Sequence, residues 1–415
     1  MSETRARYSD WHLVLLMCAA QTLVQIGAFF WPALLPQLAP QWGLSNTAAG
    51  WITAAFYGAY MLAVPVLVTL TDRIDPKRIY LLGVGLTIVG HTLFGLMADG
   101  FWSALACRAL TGIGWAGTYM TGLKLLADRV DSKMMSRATA GHAASIGVSG
   151  AASFATGEWL SHAFGWQSAF LAASISAALA WLIIAMVMPR GQTLNLKSKD
   201  GGGLYDFRPV LRNRSAMAYA MAYAIHTLEM SALRGWGVAF LAYVATSTGT
   251  TNTLLSPAML VTMLGLVGTV ASLLGNEAAI KFGRRRLVQI AMLGSIVVGG
   301  VIGFVGAGSY PLAAALILLY GLVIWLDSSS LTAGAAGTAE PSRRGATLAV
   351  HSTLGYAGGF VGPLLIGWTL DLAGGMSRIA WGLSFAIVAA MMLVALLIFL
   401  RIQPDELVGD KGKVV

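Results

Sequence analysis

Charge is what this sequence has least of. Only 11% of its 415 residues are Asp, Glu, Lys or Arg, against 57% hydrophobic, and mean hydropathy is +0.71. A soluble globular domain carries about 25% charged residues, so a chain this poor in them is expected in a lipid bilayer. Cysteine is nearly absent as well. Cys18 and Cys107 both lie in apolar runs, which excludes a disulfide framework or a thiolate metal cluster. Nucleotide and hydrolytic motifs are missing too: there is no G-x-x-x-x-G-K-[ST] loop, no G-x-S-x-G and no H-E-x-x-H. Neither an enzyme nor a cofactor or metal is expected. The net charge of +9 would suit a nucleic-acid binder, but the placement of the charges argues otherwise.

What is there instead is a series of long apolar runs. A bilayer-crossing helix needs about 20 apolar residues. Such windows fall near 12–32, 48–70, 79–97, 101–126, 138–159 and 167–188, then near 216–241, 256–280, 287–306, 312–336, 346–369 and 379–400. The first is read as a retained span, being long for a signal peptide and lacking a cleavage site. Between the two sets of six lies RGQTLNLKSKDGGGLYDFRPVLRNR (190–214), whose glycines, mixed charges and lack of periodicity predict a flexible linker. The expected domains are six-helix bundles at 1–189 and 215–415, the second with a short tail.

All but four of the 27 lysines and arginines fall in the tails, the linker and alternate loops, on one side of this arrangement. The exceptions are Arg108, Lys124, Arg234 and Arg378. By the positive-inside rule both termini are cytoplasmic, in a cell (inner) membrane. Trp31, Trp42, Trp51, Trp102, Trp159, Trp166, Trp368 and Trp381 fall at the opposite span ends, where an interfacial aromatic belt is expected. The halves also repeat. A shift of 208 residues sets ATAGHAASIGVSG (138–150) over ATLAVHSTLGYAG (346–358), and Arg73, Lys77 and Arg78 over Lys281, Arg285 and Arg286. A six-span unit repeated in one orientation implies a pseudo-two-fold along the membrane normal.

These residues carry a family resemblance. LTDRIDPKR (70–78) is similar to the G-x-L-A-D-R-x-G-R-K motif of the major facilitator superfamily, with Val68 and Asp75 where that family has glycines. GNEAAIKFGRRR (275–286) resembles a second copy, and RALTGIG (108–114) resembles the family's R-x-x-x-G-x-G pattern. The resemblance covers essentially the whole chain. It implies an all-α membrane protein of twelve transmembrane helices, working by alternating access about a site lined by spans 1, 4, 7 and 10, and functioning as a monomer. It also implies a cytoplasmic gate of Asp72, Arg73, Lys77, Arg78, Glu277, Arg284 and Arg285. GGFVGP (358–363) is similar to the glycine-proline motif of family antiporters, but that motif belongs on span 5, where SGAASFATG has no proline. The departure weighs against a drug/proton antiporter.

Ionisable residues inside the spans concentrate on the helices that the resemblance makes cavity-lining. Arg108 and Lys124 are on span 4, His226, Glu229 and Arg234 on span 7, and Asp327 on span 10; span 1 offers Gln21 and Gln25. Charges at that depth are costly and mark function. At 1.5 Å per residue, Arg108 and Arg234 both lie roughly 6 Å outward of the midplane. They are the expected binding residues for a carboxylate, with Gln21, Gln25, Trp115, Tyr119, Trp236 and Trp325 as further lining. Glu229, Asp327 and His226 are expected to handle protons, since burial is what adapts such groups to proton exchange. Lys124 is expected to snorkel. His91, His142, Glu158, His162 and His351, on other spans or at helix ends, are expected to be structural.

The sequence therefore predicts a secondary active transporter, proton-coupled, for a small organic anion or zwitterion, with the lipid bilayer, its substrate and protons as partners and no nucleic acid. Symport is the expected mode. The alternatives are proton-driven efflux of amphipathic or cationic compounds and a transporter-like membrane sensor.

Overall fold

Helix is the only regular structure among the described residues of this computed structural model, which are 9–71, 73–189, 207–250, 254–407 and 409–412. The first half holds α1 (Asp10–Gln25), α2 (Phe30–Gln41), α3 (Asn46–Leu70), α4 (Pro76–Met97), α5 (Phe101–Ala116), α6 (Tyr119–Ala127), α7 (Ser132–Phe164) and α8 (Trp166–Val187). After a short α9 (Arg208–Arg212) come α10 (Arg214–Ser247), α11 (Pro257–Phe282), α12 (Arg284–Val305), α13 (Tyr310–Trp325), α14 (Ser328–Gly337), α15 (Arg344–Leu372) and α16 (Arg378–Ile402). Each of the twelve apolar runs corresponds to one helix or to a consecutive pair. Eight of these segments are long and apolar enough to cross a membrane by length and composition, counting α1–α2 and α13–α14 as single segments. The others are α5–α6, which is interrupted, and α7, α10 and α15, which carry polar or charged side chains and glycines.

The chain forms two compact units. One comprises Met1–Leu34 with Ala55–Asp200, the other Leu35–Ala54 with Gly201–Val415. Residues 190–206 of the expected linker lie outside the described residues. Its last part is helical rather than irregular, because Arg208–Arg212 makes a turn with Pro209 in its first positions. Asn213 then caps α10, accepting from the amide of Ala216.

Three of the expected spans are broken, and each break has its own chemistry. Between α1 and α2 the chain unwinds at residues 26–29. The carbonyl of Ala28 is taken by the Arg108 guanidinium at 2.9 Å, and the amide of Phe29 donates to Ser153 Oγ at 2.9 Å. Buried backbone groups freed from a helix need such partners. Gly117 separates α5 from α6 and abuts Gly83 of α4, where a Cβ would lie 2.8 Å from its Cα. Leu326 and Asp327 separate α13 from α14, and Gly275 of α11 leaves room for the Leu326 carbonyl. By the 208-residue repeat, the break in α5–α6 and the break in α13–α14 correspond.

Three of the tryptophans expected in an interfacial belt are core residues instead. Trp31, Trp166 and Trp381 are buried. Trp381 packs against Trp236, Phe240 and Phe385, and Trp31 against Phe94. Large aromatic side chains contribute strongly to the energetics of packed cores. Trp51, Trp102, Trp159 and Trp368 are exposed, as a belt requires.

Candidate functional site

The second unit places His226, Glu229 and Arg234 on one unbroken 34-residue helix, α10, and Asp327 at the break between α13 and α14. His226, Glu229 and Asp327 are all at most 3% exposed. His226 Nδ1 stands 3.1 Å from Asp327 Oδ1, an ion-pair distance at which the angles do not make a hydrogen bond. Glu229 Oε1 accepts a 2.6 Å hydrogen bond from the Tyr320 hydroxyl of α13, and Ser295 of α12 lies beside the same carboxyl. The guanidinium of Arg234, two turns beyond His226, sits 4.8 Å over the ring of Trp325, a cation–π contact. Trp236 is fully buried, and its indole N–H donates to the Pro363 carbonyl at 2.9 Å. The structure places it in the packing of α10 against α15 and α16.

In the first unit Arg108 is 1% exposed. Besides its bond to Ala28, its guanidinium lies 4.4 Å over Phe56, which in turn stacks on Trp115 at 5.0 Å. Gln25 and Trp115 line a cavity of about 10 Å³ together with Val24, Ala28, Phe56, Thr87, His91 and Thr111. That volume admits about one water. The amide nitrogens of buried Gln21 and Gln25 and Nε of Arg108 have no hydrogen-bond partner among the described residues, while Gln21 Oε1 accepts from Tyr80. Tyr119 stacks on His142, whose Nε2 meets the Tyr119 carbonyl at 2.9 Å.

The expected gate residues divide by exposure. Asp72 lies outside the described residues. Arg73, Arg78 and Glu277 are exposed. Lys77 is buried, and its ammonium donates to the carbonyls of Ala185 and Met188 at the end of α8. Asp75, where the resembling motif has glycine, caps α4 and pairs with Arg129 at 3.1 Å. Arg129 Nε in turn donates to the Pro189 carbonyl. In the second unit Arg284 is buried and held by Asp410 through two 3.1 Å hydrogen bonds. Glu406 accepts from the amides of Arg284 and Arg285 at the start of α12.

Sequence reasoning did not single out Tyr320, although it lies seven residues before Asp327 in the same apolar run. Nor did it link His351 to the span 7 cluster. His351 of α15 stacks on Tyr223 at 4.0 Å and meets Thr332 Oγ1 at 3.2 Å.

Comparison with known proteins places the whole chain. The sequence model of the Major Facilitator Superfamily matches residues 15–257 and 219–414. The uncharacterized MFS-type transporter YbcL of Bacillus subtilis (strain 168) is 21% identical over 403 residues, covering 96% of this chain and 98% of that one. A chloramphenicol resistance protein of Streptomyces lividans is 24% identical over 389 residues, 92% of this chain and 94% of that one. Among solved structures, a bacterial homologue of the human lysosomal transporter Spinster, in an inward-facing and occupied conformation, aligns with a TM-score of 0.76 at 16% identity. The alignment covers 95% of this chain and 96% of that one.

Proposed function

The chain belongs to the major facilitator superfamily, and we propose that, within this family of membrane transporters, it is a secondary active transporter of a small organic anion or zwitterion, working by alternating access and coupled to protons. One observation carries the reading: α10 bears Arg234 on the same unbroken helix as His226 and Glu229, with Asp327 and Tyr320 supplied by α13 and the break that follows it. In this reading the carboxylate is bound by the N–H groups of the Arg234 guanidinium. Glu229, His226 and Asp327 are then the groups whose charge changes by proton exchange as the transporter cycles. In the first unit Arg108 is the corresponding cation, with Gln21 and Gln25 as buried donors. The distribution of lysine and arginine supports cytoplasmic termini in a cell (inner) membrane.

Uptake into proteoliposomes tests the reading, using carboxylates selected by thermal shift from a panel of organic acids and amino acids. A charge-assisted contact contributes about 2 kcal/mol, so Arg234→Ala is expected to weaken carboxylate binding roughly thirtyfold. Glu229→Gln is expected to keep exchange of labelled for unlabelled substrate while losing accumulation driven by a proton gradient. Undiminished carboxylate uptake by Arg234→Ala sinks the anion assignment. A second reading, efflux of amphipathic or cationic compounds, draws on the two buried carboxyls and on the whole-chain likeness to a chloramphenicol resistance protein. Drug sensitivity of a deletion strain separates the two.

A further inference from the structure

His351, expected from the sequence to be structural, is a buried imidazole stacked on Tyr223 of α10. The Thr332 hydroxyl lies 3.3 Å from the Ser328 carbonyl and 3.2 Å from His351 Nε2. With the hydroxyl proton on that carbonyl, Nε2 donates to Thr332 Oγ1 and Nδ1 of the neutral ring is a bare lone pair. Nδ1 has no partner among the described residues. His226 repeats the arrangement. Its Nδ1 faces Asp327 and its Nε2 has no partner among the described residues.

One ring links the two. Tyr223 lies nearly parallel to both imidazoles, 4.0 Å from His351 with 19° between the planes and 5.6 Å from His226 with 17°. The imidazole centroids are therefore no more than 9.6 Å apart, the two separations added. Gly355 makes the arrangement possible, since a Cβ there would overlap the Tyr223 ring. Of the other ionisable groups of the cluster, Asp327 at the α13–α14 break stands 3.1 Å from His226, Arg234 acts electrostatically on Tyr223, and Glu229, held by Tyr320, interacts with Asp327. The repeat does not demand the pair: by the 208-residue shift, Tyr223, His226 and His351 correspond to Leu15, Cys18 and Ala143.

We infer that His226 and His351 form one coupled proton-binding site of the second unit beside Tyr223, in which a proton on either ring weakens the binding of a second on the other. Each ring offers one lone pair to a proton, and charge on either disfavours charge on the other. At an effective dielectric near 20, two unit charges at this separation alter each other's proton affinity by roughly tenfold or more. Thr332 orients His351. The inference deepens the proton-coupled reading and rests on it for its physiological meaning, though not for its test.

The chain has six histidines, so ring resonances of histidine-labelled full-length protein can be assigned by single substitutions and followed against pH. His226 is expected to titrate in two coupled steps in the parent protein. In His351→Asn, whose amide keeps a donor to Thr332, the His226 resonances should collapse to one step, displaced by about one pH unit. Linkage requires the reciprocal change at His351 in His226→Asn. A purely structural His351 would leave the His226 titration in place, and Tyr223→Phe, which keeps the stack, should leave the coupling intact. An unchanged His226 titration in His351→Asn, or no titration of either ring, overturns the inference. Absence of proton flux during transport by the parent protein would instead overturn proton coupling and leave the pair standing.

Discussion

Gly358 of α15 faces the carbonyl of Ala224 on α10, and a Cβ added there would overlap that oxygen. Backbone cannot retreat from such an overlap as a side chain can, so Gly358→Ala should cost about 1–3 kcal/mol and lower the unfolding midpoint in detergent. Gly85 in α4 is the control, since nothing lies within 4 Å of a Cβ at that position. Gly85→Ala should be neutral or stabilise by up to about 1 kcal/mol through helix propensity. The same contrast explains which site residues were legible in the sequence. Glu229, His226 and Asp327 stand out because charge is rare in an apolar run, whatever it touches. Tyr320 and His351 do not stand out, because their meaning lies in which helix they face. Trp236 and Trp325 look alike as sequence, yet one is locked to the Pro363 carbonyl and the other carries Arg234.

At the scale of helices, the end of α15 shows how a residue that looks misplaced is explained by a neighbour. An acid in the last turn opposes the helix macrodipole. Asp371 sits there because its carboxylate caps α3: Oδ1 accepts from the amide and side chain of Asn46, and Oδ2 from the amide of Thr47 at 2.7 Å. Both segments lie in the second unit. Partial burial acts to raise the Asp371 pKa, but the hydrogen bonds from Thr47 and Asn46 outweigh it and hold the carboxyl below its ordinary value. With the folded pKa depressed, the cap's contribution is fully present above the unfolded value near about 4. It is lost as pH falls through the folded value. Asp371→Ala should therefore cost about 1 kcal/mol at neutral pH. The stability difference between it and the parent should shrink on acidification; a difference constant with pH would contradict the cap. The helices themselves were readable from apolar length alone, but the three breaks were not. A helix interrupted for four residues or fewer keeps its composition, and what stabilises the break, such as Arg108 on the Ala28 carbonyl, comes from another helix.

Across the whole molecule the two units share a plan that the sequence showed only in part. Six and six apolar runs, the 208-residue repeat and the paired basic loops were all visible as spacing. The way each unit closes its basic end was not, because the two use different residues. In the first unit Lys77 and Arg129 bind carbonyls of residues 185–189, where α8 ends. In the second, the segment after α16 turns back onto the loop before α12. Asp410 takes the side chain of Arg284, Glu406 takes the amides of Arg284 and Arg285, and the Asp405 carbonyl accepts from Tyr219 of α10. Arg284 also donates to Asn276 of α11 and to the Ser330 carbonyl of α14. One buried guanidinium thus ties together α11, α12, α14 and the segment after α16. Taking both charges from water offsets much of their attraction, but removing one partner strands the other, which typically costs about 3–5 kcal/mol. Arg284→Ala and Asp410→Ala should therefore each lower the unfolding midpoint strongly. The double variant should be less destabilised than the sum of the two, because no charge is left stranded. Additive effects in that cycle would mean that Arg284 acts through Asn276 and Ser330 rather than through Asp410.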